Sequence, residues 1–288
     1  MVTKTKNNLS EKAMLINLRI SMWTGRTKDR RITSEVISNN KSQTDSGAWW
    51  TYLIPKKNMA AINNASGKLR SLHYSLTLPW MDGGLRILPS AMFMNYAEKM
   101  RKAIAEYDKV TDEFIKEYPT IIANAQERLG QLLDGKKLPT TNEIRDRFGV
   151  SKDVMPLPST NDFRVKLGDA EVNQIKKQMT ISINEMTENA MADLWSRFAE
   201  LIEKVEHTLG KSDKIFRDSM ISNLKEFCDL VPNLNMTDDE ALEAVRKEVT
   251  EKLTNLMPEN LRKNKKERQI AHKDAQDILK KMKGYTTL

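Results

Sequence analysis

Apolar residues recur at every third or fourth position between Val172 and Leu209, and this run limits the possible folds more than any other part of the sequence. Its spacing follows the turn of an α-helix, so the run predicts one long amphipathic helix that ends at Gly210. Such a helix gains most of its stability when its apolar stripe is buried against other elements. The sequence therefore predicts a mainly helical protein in which this helix has packing partners.

A second run with helical spacing begins at Ser90, a favourable N-cap residue, and continues to Leu132. Pro119 lies within this run and predicts a kink or a break in the helix. A Pro-containing stretch, residues 134–170, separates the two runs. Two long helices that are joined in this way predict an antiparallel helical hairpin over residues 90–210.

Three short segments near the N-terminus favour extended structure. Residues 14–23 alternate between apolar and polar side chains in their second half, and residues 69–78 alternate from Leu72 onward. Residues 85–88 follow a Gly-containing turn. Connections this short leave little room for a helical crossover between the last two segments, so they predict a small antiparallel sheet. A short helix with Thr33 or Ser34 as its N-cap is predicted after the first strand.

The C-terminal part of the chain predicts three further helices. The first runs over residues 214–230, and the second begins with a capping box from Thr237 to Glu240 and stops before Pro258. The third is a basic helix over residues 265–283. These helices predict a separate C-terminal helical subdomain.

The predicted fold class is therefore α+β and mainly helical. Residues 1–89 form a basic N-terminal region with the small antiparallel sheet, residues 90–210 form the long helical hairpin with its irregular excursion at 134–170, and residues 211–288 form the C-terminal subdomain with a basic tail.

Positive charge is concentrated at the two ends of the chain. The chain has 47 Lys and Arg against 39 Asp and Glu, a net charge of +8. Residues 1–80 hold 13 Lys and Arg and 4 Asp and Glu, residues 81–258 hold 25 and 31, and residues 259–288 hold 9 and 4. Such asymmetry indicates an anionic partner, most often nucleic acid, although a solvated surface with two basic tails explains it equally well.

Cationic and aromatic residues are interleaved in the basic segments. Cations neutralise phosphates and exposed aromatic rings stack on unpaired bases, so this combination is typical of surfaces that bind single strands. The residues predicted to bind nucleic acid are Arg26, Lys28, Arg30, Arg31, Trp49, Trp50, Lys56, Lys57, Lys68, Arg70, Lys263, Lys265, Lys266 and Arg268. The alternative is that Trp23, Trp49 and Trp50 are core residues of the sheet and that the cations form solvated faces.

No set of residues reaches the standard of a catalytic motif. The three histidines, His73, His207 and His272, lack the spacing of metal ligands, and no phosphate-binding glycine loop is present in the sequence. Acidic residues 238–240 are explained by a helix N-terminus. Cys228, the single cysteine, lies in a helical pattern and predicts a buried thiol. We therefore predict no catalytic residues, no metal and no cofactor; a metal-dependent nuclease has support only from scattered acids.

Several segments together resemble one family. They are NLRISMWTGR at 17–26, HYSLTLPWMDGGLRILPSAMFMNY at 73–96, EIRDRFGV at 143–150, PLPSTNDFRV at 156–165, ADLWSRF at 192–198 and FRDSMISNLKEFCDLVPNLNMTDD at 216–239. The chain resembles a family of uncharacterised phage and integrative-element proteins that is defined only as a domain of unknown function. Its members are encoded near an AAA-type ATPase and a von Willebrand-type protein. The resemblance implies a phage or mobile-element origin and an ATPase partner, and it supplies no catalytic residues.

Two functions follow as hypotheses. The first is a non-catalytic protein that binds single-stranded DNA or RNA with low sequence specificity. The second is a helical adaptor that engages an AAA-type ATPase or assembles with itself. The sequence shows neither a secretory signal nor a membrane-spanning stretch, so we expect it in the cytoplasm, that of the host cell if a phage encodes it.

Overall fold

The structure is a computed structural model that describes residues 9–158, 168–211 and 217–285. The chain divides into two compact units, each discontinuous in sequence. Unit 1 takes in Met1–Asn17, Tyr74–Tyr96 and Asp153–Leu288, and unit 2 takes in Leu18–His73 and Ala97–Lys152. Both units therefore draw residues from the predicted segments 1–89 and 90–210.

Most of the described residues are helical, and a small antiparallel sheet accompanies the helices, which confirms the predicted mainly helical α+β class. The strands are β1 (Ala13–Ser21), β2 (Arg26–Asp29), β3 (Trp49–Tyr52), β4 (Leu78–Pro79), β5 (Arg86–Pro89) and β6 (Gly149–Pro156). The helices are α1 (Leu9–Lys12), α2 (Arg30–Asn39), α3 (Ala60–Leu76), α4 (Phe93–Ala123), α5 (Ala125–Leu129), α6 (Thr141–Arg145), α7 (Asp169–Leu209), α8 (Asp218–Leu234), α9 (Glu240–Val249), α10 (Pro258–Lys263) and α11 (Lys265–Met282).

Four strands form one sheet with the order β4-β5-β1-β6. Strand β5 pairs antiparallel with both β1 and β4, and Ala13 lies opposite Pro89 in the register. Strands β2 and β3 form a separate two-stranded antiparallel sheet. The short segments predicted at 14–23 and 85–88 are therefore strands β1 and β5.

Helix α7 is the centre of the core of unit 1. It follows the predicted run from Val172 to Leu209, and Gly210 is its C-cap residue. Its buried face, which includes Phe198, packs along α8 and α11. From Ala97 onward, helix α4 belongs to unit 2. Within unit 1, the apolar stripe of α7 is therefore buried by α8 and α11. The sequence had predicted that the helix after Ser90 would bury it.

Aromatic residues form much of the core of unit 2. Trp23 is buried, and its ring meets the Tyr118 ring edge-on with the centroids 5.8 Å apart. The two buried α4 tyrosines that belong to unit 2 satisfy their hydroxyls with backbone carbonyls, since Tyr107 donates to Ser21 over 2.8 Å and Tyr118 donates to Pro139 over 2.8 Å. The alternative interpretation of the sequence placed Trp23, Trp49 and Trp50 in the core. Of these three, the structure buries Trp23.

The strand predicted at residues 69–78 is wrong, because this segment belongs mainly to helix α3. Ile62, Leu69 and Leu76 are almost completely buried at seven-residue intervals, which is the spacing of one helix face. The alternation of apolar and polar residues after Leu69 comes from the last buried residues of α3 and the first residue of β4, Leu78. A short run with period two is ambiguous in this way when it overlaps a helical face.

Helix starts differ from the prediction in which residue provides the cap. Helix α2 begins at Arg30 with Asp29 as its N-cap, in place of Thr33 or Ser34. Ser90 begins a short 3₁₀ turn, and α4 itself starts at Phe93. Asp239 caps α9 and accepts hydrogen bonds from Ala241 N and Leu242 N, where the sequence predicted Thr237.

The C-terminal helices otherwise follow the predicted pattern. Helix α8 covers most of the predicted helix 214–230, whose first residues lie outside the described part of the chain. Helix α11 coincides with the predicted basic helix. Helix α4 continues past Pro119 to Ala123, so the break comes after the proline and not at it. None of the helices in the described ranges is long and apolar enough to span a membrane.

Candidate nucleic-acid interface

Unit 2 carries the whole net charge of the chain. Its sequence has 21 Lys and Arg against 13 Asp and Glu, a net charge of +8, whereas unit 1 has 26 of each. The predicted site residues from Arg26 to Arg70 all belong to unit 2, and those from Lys263 to Arg268 belong to unit 1. An anionic partner is therefore attracted to unit 2, which makes its exposed surface the first candidate site.

The centre of this surface is the two-stranded ribbon of β2 and β3. Arg26 lies opposite Tyr52 in the register and Lys28 lies opposite Trp50. Because side chains alternate between the two sides of a strand, these residues share one side of the ribbon. We call this side the front face and define it by Arg26, Lys28, Trp50 and Tyr52.

Cations and aromatic rings alternate on the front face and touch one another. The Cζ atom of Arg26 lies 4.8 Å from the centroid of the Trp50 ring. The Nζ atom of Lys56, in the 3₁₀ turn that follows β3, lies 4.4 Å from the centroid of the Tyr52 ring. Both distances are typical of cation–π contacts. The Trp50 side chain is nevertheless 44% exposed, so part of the ring is open to a ligand.

The opposite side of the ribbon is anchored by a buried carboxylate. Oδ2 of Asp29 lies 2.6 Å from Nζ of Lys136 and accepts a hydrogen bond from the Thr51 hydroxyl over 3.1 Å. Its other oxygen accepts from the backbone N–H of Ile32 and caps α2. The Lys136 ammonium, together with these N–H and O–H donors, lowers the pKa of Asp29 to about 2. Asp29 is therefore a structural anion that joins β2, β3 and α2.

Two further cations connect the segment from α5 to Lys136 with strand β3 and with helix α2. Arg128 donates to the carbonyl of Tyr52 over 2.7 Å, and Arg31 donates to the carbonyl of Gln131 over 3.1 Å. Arg31, a predicted site residue, remains exposed but has its guanidinium engaged with the backbone of this unit. Its role is at least partly structural.

Most of the other predicted cations of unit 2 have no acidic partner. Within the described ranges, no Asp or Glu oxygen lies within 4.0 Å of the side-chain nitrogens of Arg26, Lys28, Arg30, Lys56, Lys57, Lys68 or Arg70. Arg30 and Arg31 also occupy the first turn of α2, which has no acidic residue, so they add to the positive end of the helix dipole. This arrangement costs the fold stability and increases the attraction for anions, as expected of a binding surface.

The remaining predicted site residues of unit 2 lie outside the front face. Trp49 is 46% exposed, but it alternates with Trp50 and belongs to the opposite side of the ribbon. Lys57 is exposed beside Lys56 in the 3₁₀ turn. Lys68 and Arg70 are exposed on α3, where residues two positions apart do not face each other. The front face with Lys56 is thus the compact part of the predicted site.

In the second predicted cluster, residues 263–268, three of the four cations are exposed to a ligand. Lys263, Lys265 and Lys266 are exposed around the junction of α10 and α11. The Arg268 guanidinium instead donates to the carbonyls of Thr208 and Leu209, each over 2.8 Å, and to that of Lys211. Arg268 therefore caps the C-terminus of α7, where carbonyls lack intrahelical partners and a cation is favourable.

Three residues that build this candidate interface were not among the predicted site residues. Tyr52 belongs to the aromatic part of the basic segment, and because it lies two positions after Trp50, strand alternation places it on the same side of the ribbon. Asp29 and Lys136 are 107 residues apart, and nothing in the sequence connects them. Their pairing depends on the fold of unit 2 as a whole.

Other reactive groups lie away from the ribbon. Cys228 is buried in α8, and burial raises the pKa of its thiol to about 11, which confirms the predicted buried thiol. His272 lies 2.8 Å from Glu206 and links α11 to α7. In the described ranges, no group of three or more His, Cys, Asp or Glu side chains could hold a metal ion.

Comparison of the chain with protein-family models, with curated proteins and with solved structures gives no match. The resemblance to the phage and integrative-element family, and the origin and ATPase partner that it implies, stay predictions.

Proposed function

We propose that this protein binds single-stranded DNA or RNA through the front face of the β2–β3 ribbon, with low sequence specificity and without a chemical step. One observation carries the proposal. Arg26, Lys28 and Lys56 have no carboxylate partner among the described residues, and they alternate with two partly exposed aromatic rings on one side of a supported ribbon.

The aromatic rings favour single strands over duplex. A base can stack on an exposed ring only when it is unpaired or splayed out of the helix, whereas duplex bases already stack on one another. Stacking accepts every base, and cations that contact phosphates carry no sequence information. The same face therefore favours a single strand and gives little discrimination between sequences.

The non-catalytic part of the proposal is supported by the state of Asp29, the acidic residue of the ribbon itself. Asp29 lies directly behind the front face, but it is buried, paired with Lys136, and has a pKa of about 2. A carboxylate held in this way is a poor general base at neutral pH, and its oxygens are already used. We propose that the face holds the strand and requires no cofactor.

Replacement of Trp50 tests the proposal against a matched neighbour. Trp49 and Trp50 are similarly exposed but lie on opposite sides of the ribbon. We expect Trp50→Ala to weaken the binding of a labelled oligothymidylate by about tenfold or more, because stacking contributes about 1–3 kcal/mol per base. We expect Trp49→Ala to change the affinity by less than about twofold. Fluorescence anisotropy at low salt measures both.

Thermal melting of both variants is the control for folding. If Trp49→Ala weakens binding as much as Trp50→Ala does while both variants melt like the wild type, the strand does not lie on the front face and the proposed interface is wrong.

The biological setting of this activity is proposed from the resemblance alone. A phage or mobile element that handles its own nucleic acid requires proteins that hold single strands without regard to sequence. We propose that the protein acts in that setting, in the cytoplasm of the host cell, with an AAA-type ATPase as a partner.

A second function, as a helical adaptor, is favoured by the first half of α7. The buried residues of this helix begin at Ala190. Before it, Val172, Ile175 and Met179 follow the helical spacing but are only half-buried, and they are not part of either core cluster. Such a stripe is typical of a helix that pairs with another helix. Sedimentation of the wild-type protein tests this function, since self-assembly makes the apparent mass rise with concentration.

A further inference from the structure

Three hydrogen-bond donors meet at one end of the front face. Arg26 and Tyr52 are direct register partners on β2 and β3, so their side chains start side by side. Lys56 lies in the 3₁₀ turn after β3, and its ammonium is 4.4 Å from the centroid of the Tyr52 ring. A guanidinium, an ammonium and a phenol hydroxyl thus come together from three positions of one unit.

The electrostatics of Tyr52 support this geometry. Its pKa is lowered, because the neighbouring Arg26 and Lys56 cations favour a negative phenol oxygen. Neither cation has an acidic partner among the described residues. Arg26 and Lys56 therefore flank the Tyr52 side chain with positive charge that no carboxylate of the described residues neutralises.

We infer that Arg26, Tyr52 and Lys56 form a subsite for one phosphate group of a bound strand, with the adjacent Trp50 ring as the platform for the neighbouring base. This inference rests on the proposed function and assigns a role to each residue. The planar guanidinium offers paired N–H donors to two phosphate oxygens, the ammonium adds a point charge, and the hydroxyl donates to an oxygen.

The contact between Arg26 and Trp50 brings the phosphate position of the subsite close to its base position. The guanidinium carbon lies 4.8 Å from the centroid of the Trp50 ring, so a phosphate on Arg26 lies next to any base that stacks on that ring. A phosphate and the base beside it are the repeating unit of a strand. The subsite therefore recognises one nucleotide by its backbone charge and its ring, which any nucleotide provides.

Lys56 and Lys57 provide a matched pair for the test. Both are exposed in the same 3₁₀ turn, but the ammonium of Lys56 is the one that lies on the Tyr52 ring. Each phosphate contact of a single strand contributes about 0.7 to the slope of log K against log salt. We expect Lys56→Ala to reduce this slope by about 0.7 and Lys57→Ala to leave it nearly unchanged, measured with a labelled oligothymidylate.

Tyr52→Phe separates the hydroxyl from the ring. The variant keeps the aromatic ring under Lys56 and loses the O–H donor. Because the hydroxyl carries no charge, we expect the affinity to fall by about fivefold with the salt slope unchanged, as for the loss of one hydrogen bond.

The outcomes distinguish this inference from the proposed function. If the wild-type protein fails to bind single strands at low salt, the proposed function is wrong and the subsite with it. If the wild type binds but Lys56→Ala and Lys57→Ala change the slope equally, or Tyr52→Phe binds like the wild type, the function stands and the subsite is wrong.

Discussion

Replacement of Asp29 by Ala is expected to lower the free energy of unfolding by about 3 kcal/mol, because it leaves the buried Lys136 ammonium without its anionic partner. Both side chains of the pair are largely buried, with exposed fractions of 3% for Asp29 and 12% for Lys136. The same substitution removes the cap of α2 and the acceptor of the Thr51 hydroxyl. Urea unfolding followed by circular dichroism measures the loss.

Asp45→Ala is the matched control for this prediction. Asp45 is an acidic residue of the same region, but it is exposed in the connection between α2 and β3. Its replacement should change the free energy of unfolding by less than about 0.5 kcal/mol. If Asp29→Ala is as stable as Asp45→Ala, the buried ion pair does not anchor the ribbon.

The pH dependence of stability has a definite sign for Asp29. Its pKa in the folded protein is about 2, lowered from the usual 3.8, so the folded state favours the charged form. The contribution is complete above about pH 4 and is lost as the pH falls towards 2. The difference in unfolding free energy between the wild type and Asp29→Asn should therefore shrink over this range and stay constant at higher pH.

Removal of the two front-face cations together with Lys56 should have the largest effect on binding. We expect the combined change of Arg26, Lys28 and Lys56 to Ala to weaken the binding of a single strand by about a hundredfold at low salt, because it removes the cations that neutralise neighbouring phosphates. These side chains are exposed and have no carboxylate partner in the described part of the chain, so the fold should keep its melting temperature.

An equal change of charge in unit 1 is the control. Lys263, Lys265 and Lys266 are also exposed, and they formed the second cluster predicted from the sequence. Their combined replacement by Ala should weaken binding by less than about threefold, through long-range attraction alone. Equal losses in the two triple variants would mean that net charge, and not the front face, determines the affinity.

The long helices could be predicted from the sequence because their signal is repeated many times. Helix α7 has its apolar stripe over the whole run from Val172 to Leu209, so single exceptions do not obscure the period. Strands β2 and β3 have four residues each, which gives at most two repeats of a two-residue period. The ribbon that forms the candidate site was therefore predicted only as a basic segment followed by aromatic residues.

Composition indicated the region of the candidate site, and the arrangement of its residues came from the structure. The predicted cations between Arg26 and Arg70 all belong to unit 2, whose sequence carries the net positive charge. Which tryptophan shares a side with Arg26 depends on the register of β2 and β3. Asp29 of β2 contacts both Thr51 of β3 and the distant Lys136. Contacts between residues so far apart in sequence are fixed by tertiary packing, which a single sequence does not display.

The salt dependence of binding by the wild-type protein tests the central claim most directly. Labelled oligothymidylate and a duplex of the same length are titrated at a series of salt concentrations. If the front face binds single strands through phosphates and stacked bases, log K falls linearly with log salt and the single strand binds more tightly than the duplex throughout. No binding of the single strand at low salt, or equal affinity for the duplex, would contradict it.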